Sequence, residues 1–222
     1  MSHVAVVVFP GSNCEYDAAH AVSALGGTSD FVWHTGTDLS GYDAIVLPGG
    51  FAHGDYLRPG AIARFSPVME EVGQRAEAGV PVLGICNGFQ VLTEAGLLPG
   101  ALQKNRGLTF LCQPSRLAVR SVRSVLTRGA RVGQELDIPI NHFSGAYTCD
   151  DETLAELHAH DQVVVTYTQN PNGSRDDIAG VSNRAGNVVG LMPHPERAMS
   201  ALLGSEDGRV LFASFLGLSV AA

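Results

Sequence analysis

The chain has 222 residues, 45% of them hydrophobic and 16% charged, with a formal net charge of −8. That length and composition suit one α/β domain with a sizeable core and exclude a disordered chain. An acidic chain without a Lys/Arg run cannot neutralise a line of phosphates, so nucleic acid is excluded as a partner, while a small anion in a local basic pocket is not.

Val4–Phe9 is a β-branched run ended by Pro10-Gly11 and reads as a buried parallel strand. A helix is expected from Tyr16 to Leu25, stopped by Gly26-Gly27, then a short strand over Phe31–His34 and a buried one over Ala44–Leu47. Ser66-Pro67 supplies an N-cap and a first-turn proline for a helix that ends at Gly79. Pro81–Ile85 is again a buried strand, and a helix follows from Asn87 to Ala95. This alternation predicts a mostly parallel open sheet with helices on both faces. Beyond Leu108 the pattern changes. Leu117–Val122 alternates only in part and suggests an exposed, antiparallel region. A helix over Asp151–Ala159, a strand over Gln162–Thr166, a hairpin of Ile178–Ser182 with Val188–Met192, and a helix over Asp207–Leu218 complete the reading. No repeat or linker composition divides residues 1–222, so a single domain is expected. The apolar stretches Val4–Phe9 and Val210–Ala222 are too short for a signal core or a membrane span.

The four cysteines, at positions 14, 86, 112 and 149, show neither zinc spacing nor CxxC pairing. No metal and no disulfide framework are expected, and free thiols suit a reducing cytoplasm. Cys112 reads as a buried structural thiol, as do Cys14 and Cys149 by default, although these two lie in loop-like sequence. Cys86 differs. In Gly84-Ile85-Cys86-Asn87-Gly88 it stands where a strand turns into a helix, between two glycines. G-x-S-x-G is the serine form of this nucleophile elbow. A thiol there sits at a helix N-terminus, which favours thiolate, and the Asn87 amide points at any oxyanion formed on an attacked carbonyl.

A catalytic thiol needs a base, and the base needs an orienter. His3, His20, His158 and His160 read as solvated. His34 ends a strand and His53 lies in a loop, and both remain candidates; His142, which follows a strand, is a minor one. His194 is set apart by Met192-Pro193-His194-Pro195-Glu196, where two prolines stiffen an extended segment after a buried strand. In an extended segment Glu196 projects from the same face as His194 and can fix its tautomer; the alternative is a surface carboxylate paired with Arg197. Pro48-Gly49-Gly50-Phe51 follows another buried strand. It offers a second oxyanion amide from Gly50 or Phe51, or else is a plain turn. All three elements end parallel strands, where ligands bind in such sheets.

Pro48-Gly49-Gly50, Gly84-x-Cys86-x-Gly88-x-Gln90 and His194-Pro195-Glu196 resemble the motifs of class I glutamine amidotransferases. The long segment from Pro48 to Ser66, with Phe9–Cys14, Asn172–Ser174 and Asp177–Gly180, is similar to the family of glutaminase subunits of phosphoribosylformylglycinamidine synthase. The resemblance implies a flavodoxin-like domain and a Cys86–His194–Glu196 triad that releases ammonia from L-glutamine. It also implies glutamine and oxyanion contacts from Gly49, Gly50, Phe51, Asn87 and Gln90. The partners it implies are a large synthetase subunit, which uses ATP, Mg and formylglycinamide ribonucleotide, and a small accessory subunit. No cofactor is implied in this chain, and no G-x-x-x-x-G-K-[ST] loop occurs in it. At Asn141–Tyr147 the chain departs from the family's usual His/Ser-Gly-Glu-Gly segment, with Ser144 in place of the acid. The elbow alone also fits a cysteine hydrolase or peptidase, and a thiol sensor is a third reading, which His194-Pro195-Glu196 argues against. The loop Phe51–Ser66, apolar but carrying Arg58 and Arg64, is expected either to dock the synthetase or to pack as a closure of the pocket.

Overall fold

The structure is a computed structural model that describes residues 2–218. Its frame is a nine-stranded sheet. In chain order the strands are β1 (His3–Val8), β2 (Thr28–Trp33), β3 (Ala44–Leu47), β4 (Val82–Ile85), β6 (Leu111–Val119), β7 (Glu135–His142), β9 (Val163–Tyr167), β10 (Ile178–Ser182) and β11 (Val188–Leu191); β5 (Ala101–Gln103) and β8 (Ala146–Thr148) pair apart from it. The nine lie side by side in the order β2-β1-β3-β4-β11-β10-β9-β6-β7. The pairs from β2 through β11 are parallel and those from β11 through β7 antiparallel. Following these pairings, seven of the nine strands run one way, with β10 and β6 reversed. The carboxyl ends of β1, β3, β4, β11 and β7 therefore share one edge.

The continuous apolar runs give strands buried on both faces: β3, β4, β9, β10 and β11 are buried throughout. Helices α1 (Glu15–Ser23), α2 (Pro67–Glu77), α3 (Asn87–Glu94), α4 (Asp151–Ala159) and α5 (Gly208–Phe215) cover them. The connection through α1 leads from β1 outward to β2 and that through α2 from β3 inward to β4, so right-handed crossovers place these helices on opposite faces. None of the helices of the described residues is long and apolar enough to cross a membrane. The run from Val210 to Ala222 extends past the described residues.

Three sequence expectations change. β2 begins at Thr28 rather than Phe31, because as an edge strand it is exposed along most of its length and carries only a weak apolar pattern. The second sheet, of β5 with β8, was not expected, since three residues are too few for any periodicity to show. Cys112 is exposed, not buried. It lies in the first half of β6, which reaches beyond β9; that neighbour pairs β6 only over Leu117–Val119.

Candidate active site

The turn from β4 into α3 is made at Cys86, whose backbone takes φ 50° and ψ −102°, a conformation that residues with a Cβ rarely adopt. The glycines beside it are there for close approach. A Cβ on Gly88 would stand 1.9 Å from the Leu47 carbonyl oxygen, and one on Gly84 would stand 2.7 Å from the Gly88 oxygen. Only glycine lets α3 start flush against β3 and β4. The Cys86 amide donates to Leu191 O at 2.8 Å, tying the elbow to β11, the strand that leads to His194.

His194 and Glu196 are 1% and 2% exposed, and Nδ1 of the ring bonds Glu196 Oε1 at 2.6 Å. A buried carboxylate accepts, so Nδ1 carries a proton and Nε2 is the nitrogen left to exchange one with the thiol. Nε2 has no hydrogen-bond partner among the described residues. Burial alone would lower the pKa of His194. The Glu196 carboxylate and the negative charge of the Cys86 sulfur overcome it and hold the imidazole well above its ordinary range. Arg197 does not pair with Glu196. Its guanidinium goes to Asp17 Oδ2 at 3.1 Å and to Cys14 Sγ at 3.1 Å. The segment is also not extended as expected: Pro195–Arg197 forms a 3-10 turn, with Pro195 seeding it at the first position. Glu196 reaches the ring through that turn rather than by strand alternation.

The loop after β3 is stapled to the elbow. The Asn87 side chain, 2% exposed, accepts from the Ala52 amide at 2.9 Å and donates to Asp55 Oδ1 at 3.1 Å and Gln90 Oε1 at 2.8 Å. Gln90 in turn donates to Ser144 O at 2.6 Å. Both side-chain amides are thus spent inside the protein. The Phe51 amide is spent too, on Gly11 O at 2.9 Å, whereas the amides of Gly50 and Asn87 have no partner among the described residues. Gly49 is required by its neighbours: a Cβ there would stand 2.9 Å from His194 Cε1 and 3.0 Å from Cys14 Sγ.

One cavity of about 820 Å3 collects Cys86, His194, Gly50, Phe51 and Gln90 at the shared strand edge. Its size lies within the roughly 300–1,000 Å3 of small-molecule sites. Asn141, His142, Phe143 and Ser144, the divergent segment, line its far wall, and the Asn141 carbonyl stands 3.7 Å from Cys86 Sγ. His34 and His53 are elsewhere. Their rings meet each other at 5.2 Å and share Ser66 Oγ at 3.1 and 3.4 Å.

A profile of CobB/CobQ-like glutamine amidotransferase domains matches residues 1–208. The chain belongs to this family. It is 56% identical over 213 residues to phosphoribosylformylglycinamidine synthase subunit PurQ of Lacticaseibacillus paracasei, covering 96% of this chain and 93% of the relative. A chain in the structure of PurLQS from Thermotoga maritima superposes with a TM-score of 0.90 at 44% identity, covering 98% of this chain and 99% of that one. A chain from Thermoplasma acidophilum, provisionally assigned to GMP synthase, reaches a TM-score of 0.65 at 18% identity over 98% of this chain and 94% of that one, a likeness of fold alone.

In this amidotransferase domain one residue of the site gave no signal in the sequence. Cys14, buried in the cavity wall, lies with His194 and Glu196 in a group whose polar atoms are all within 4.8 Å of one another. Its loop-like neighbourhood says nothing of this, because the approach is made by β1 and β11 across the sheet. His142, one of the candidate bases, is buried in the same wall. Asn105 Oδ1 faces its Nδ1 at 3.1 Å and also accepts from the Gly145 amide, while Asn105 Nδ2 donates to the carbonyls of Thr109 and His142. This network leaves Nδ1 as the protonated nitrogen and Nε2 as a buried acceptor without a partner among the described residues. Burial, with the nearby charge of His194, pushes the His142 pKa down to about 4, so the ring is neutral near pH 7. The two cations of the Phe51–Ser66 loop are committed within the chain. Arg58 forms a two-pronged pair with Glu94 at 2.5 and 2.6 Å, and Arg64 donates to Glu94 O at 2.9 Å.

Proposed function

We propose that this single domain hydrolyses L-glutamine through Cys86, His194 and Glu196, and that its ammonia feeds the synthesis of formylglycinamidine ribonucleotide. The observation that carries the reading is one buried histidine with Nδ1 fixed by Glu196 and Nε2 left free, in the cavity that holds a thiol on a strained elbow. His194 Nε2 takes the Cys86 proton, and the sulfur attacks the side-chain amide carbon. The C=O pair moves onto oxygen, and the amides of Gly50 and Asn87 receive the oxyanion. As the C–N bond breaks, His194 returns the proton and ammonia leaves. Water, deprotonated by His194, then splits the thioester and releases glutamate. Glu196 supports the imidazolium in both halves.

The likeness to PurQ supports the purine pathway, and the PurLQS likeness supports a complex with a large synthetase and a small accessory protein. In this reading ATP and Mg belong to the synthetase, the chain itself needs no cofactor, and the complex works in the cytoplasm. The docking surface is apolar. Tyr56, Leu57 and Phe65 are exposed on the loop beside the cavity, and Leu57, 90% exposed, sits at φ 70°, a strained position of the kind found at functional sites. The test is to incubate the chain with its co-purified synthetase and glutamine, asparagine or a peptide, and to follow ammonia. Selective release from glutamine is the expected result. Equal release from asparagine or the peptide would favour a general cysteine hydrolase, and no release from any would reject the reading.

A further inference from the structure

The carboxylate that orients His194 has little of its own to hold it. Glu196 Oε1 accepts from the ring at 2.6 Å, and Oε2 is buried with no partner among the described residues. Its place therefore depends on the 3-10 turn Pro195–Arg197 that carries it. Backbone bonds tie that turn at its two ends, from His194 N to Pro139 O on β7 and from Gly208 N on α5 to Ala198 O, each at 2.8 Å. Between these ties, the side-chain hydrogen bonds that leave the turn among the described residues all come from Arg197. Its Nε donates to Asp17 Oδ2 and its Nη2 to Cys14 Sγ, both at 3.1 Å. Asp17 lies in the first turn of α1 and Cys14 is the N-cap of that helix. The anchor is itself held: the Asn13 and Cys14 amides donate to Gly49 O at 3.3 and 3.2 Å, and the Cys14 thiol donates to Asn13 Oδ1 at 3.1 Å. One guanidinium thus joins the turn after β11 to a rigid block that follows β1.

We propose that Arg197 is a positioning residue for the hydrolysis: braced on Cys14 and Asp17, it sets the turn so that Glu196 meets the His194 ring. The proposal rests on the reading of Cys86, His194 and Glu196 as the catalytic unit. Arg197 is not among the residues that line the cavity, so it acts without touching the substrate. Its charge also acts on the buried acid. Burial alone would lower the pKa of Arg197, but the Cys14 sulfur and the Glu196 and Asp17 carboxylates outweigh it, and the guanidinium stays charged. Lysine is only a partial substitute, because a point charge on a flexible stem cannot address Asp17 and Cys14 from one fixed plane.

The experiment is a double-mutant cycle on the chain in complex with its synthetase, read as steady-state ammonia release from glutamine. Arg197→Gln is expected to lower kcat about 10–100-fold, less than the whole of a general acid–base contribution, and to leave KM within about twofold of the parent. Arg197→Lys should lose less, and Asp17→Asn, which leaves the Cys14 contact in place, should also lose less. Added to Glu196→Gln, Arg197→Gln should cost nothing further, because a residue that acts only through the carboxylate has no effect once the carboxylate is gone. A general effect on folding would instead multiply with the loss from Glu196→Gln. The proposal is overturned if the two losses multiply, if KM rises as steeply as kcat falls, or if Arg197→Gln keeps the parent kcat. Where urea unfolding shows that Arg197→Gln does not fold, Arg197→Lys and Asp17→Asn complete the same cycle with Glu196→Gln. A parent complex that releases no ammonia from glutamine would reject the catalytic reading itself.

Discussion

The Glu196 carboxylate lies 2.6 Å from Nδ1 of His194, and both side chains are sealed from solvent. A ring held this way presents Nε2 in one orientation and one tautomer. Glu196→Gln offers an amide of the same shape that can hold the wrong tautomer. It should lower kcat about 10²–10⁴-fold, within the range of general acid–base contributions. His194→Ala and Cys86→Ala should each abolish turnover, because members of such a unit fail together. Steady-state ammonia release measures all three. Parent-like activity in Glu196→Gln would remove the carboxylate from the mechanism.

The thiols should separate by reagent. Cys112 is exposed, Cys149 half-buried, and Cys14 and Cys86 buried. A small generic alkylator is expected to take Cys112 first, by access. A glutamine-shaped alkylator should reverse the order and label Cys86, since that thiol stands on the elbow in the cavity, whereas Cys14, in the same wall, is engaged by Asn13 and Arg197. Peptide mass spectrometry after each reagent reads the result. The same order with both reagents would mean that Cys86 has no special activation.

The elbow was readable because its demands are local. Gly84 and Gly88 are dictated by contacts of α3 with its own strand and with β3, and a short motif can encode them. The parallel half of the sheet was readable for a similar reason: strands buried on both faces need unbroken apolar runs. The antiparallel half was less so. β7 alternates but β6 does so only over its last five residues, β5 and β8 have three residues each, and their pairing follows from tertiary contact rather than from periodicity. The same limit hid Cys14 and left His142 one candidate among several, since their place in the cavity depends on strands distant in sequence meeting at one edge. Glu196 shows a contact anticipated from the wrong backbone, since a 3-10 turn and an extended strand both bring residues two apart within reach of each other.

His142 should make the fold acid-sensitive. Its pKa falls from the ordinary 6.5 to about 4 in the folded chain, chiefly through burial. The unfolded chain therefore binds more protons between those values, and stability present above pH 6.5 is lost as pH falls towards 4. The full shift corresponds to about 3 kcal/mol at about 1.4 kcal/mol per unit. His142→Asn keeps a donor for Asn105 Oδ1 but does not titrate. Its unfolding free energy by urea should fall less than the parent's between pH 6.5 and 4. Equal losses would show that His142 is not the group being charged.

The last prediction concerns what the loop beside the cavity offers a partner. Arg58 and Arg64 both reach Glu94 on α3, and Arg64 also lies over the Phe65 ring at 4.5 Å. These contacts hold the loop down and leave its apolar side chains facing outward. Leu57 stands between the strained Asp55 and the anchored Arg58, almost fully exposed. Nothing among the described residues repays that exposure, whereas a partner surface would. Leu57→Asp should therefore weaken association with the synthetase about 10-fold or more, the cost of truncating one interface anchor, and depress glutamine-dependent synthesis. Synthesis from free ammonia should persist. Arg58→Ala releases the anchor without touching the apolar face and should affect association less. Affinity of each variant for the synthetase, measured by surface immobilisation of the synthetase, orders them. If Leu57→Asp binds like the parent while Arg58→Ala does not, the cations and not the apolar side chains make the contact.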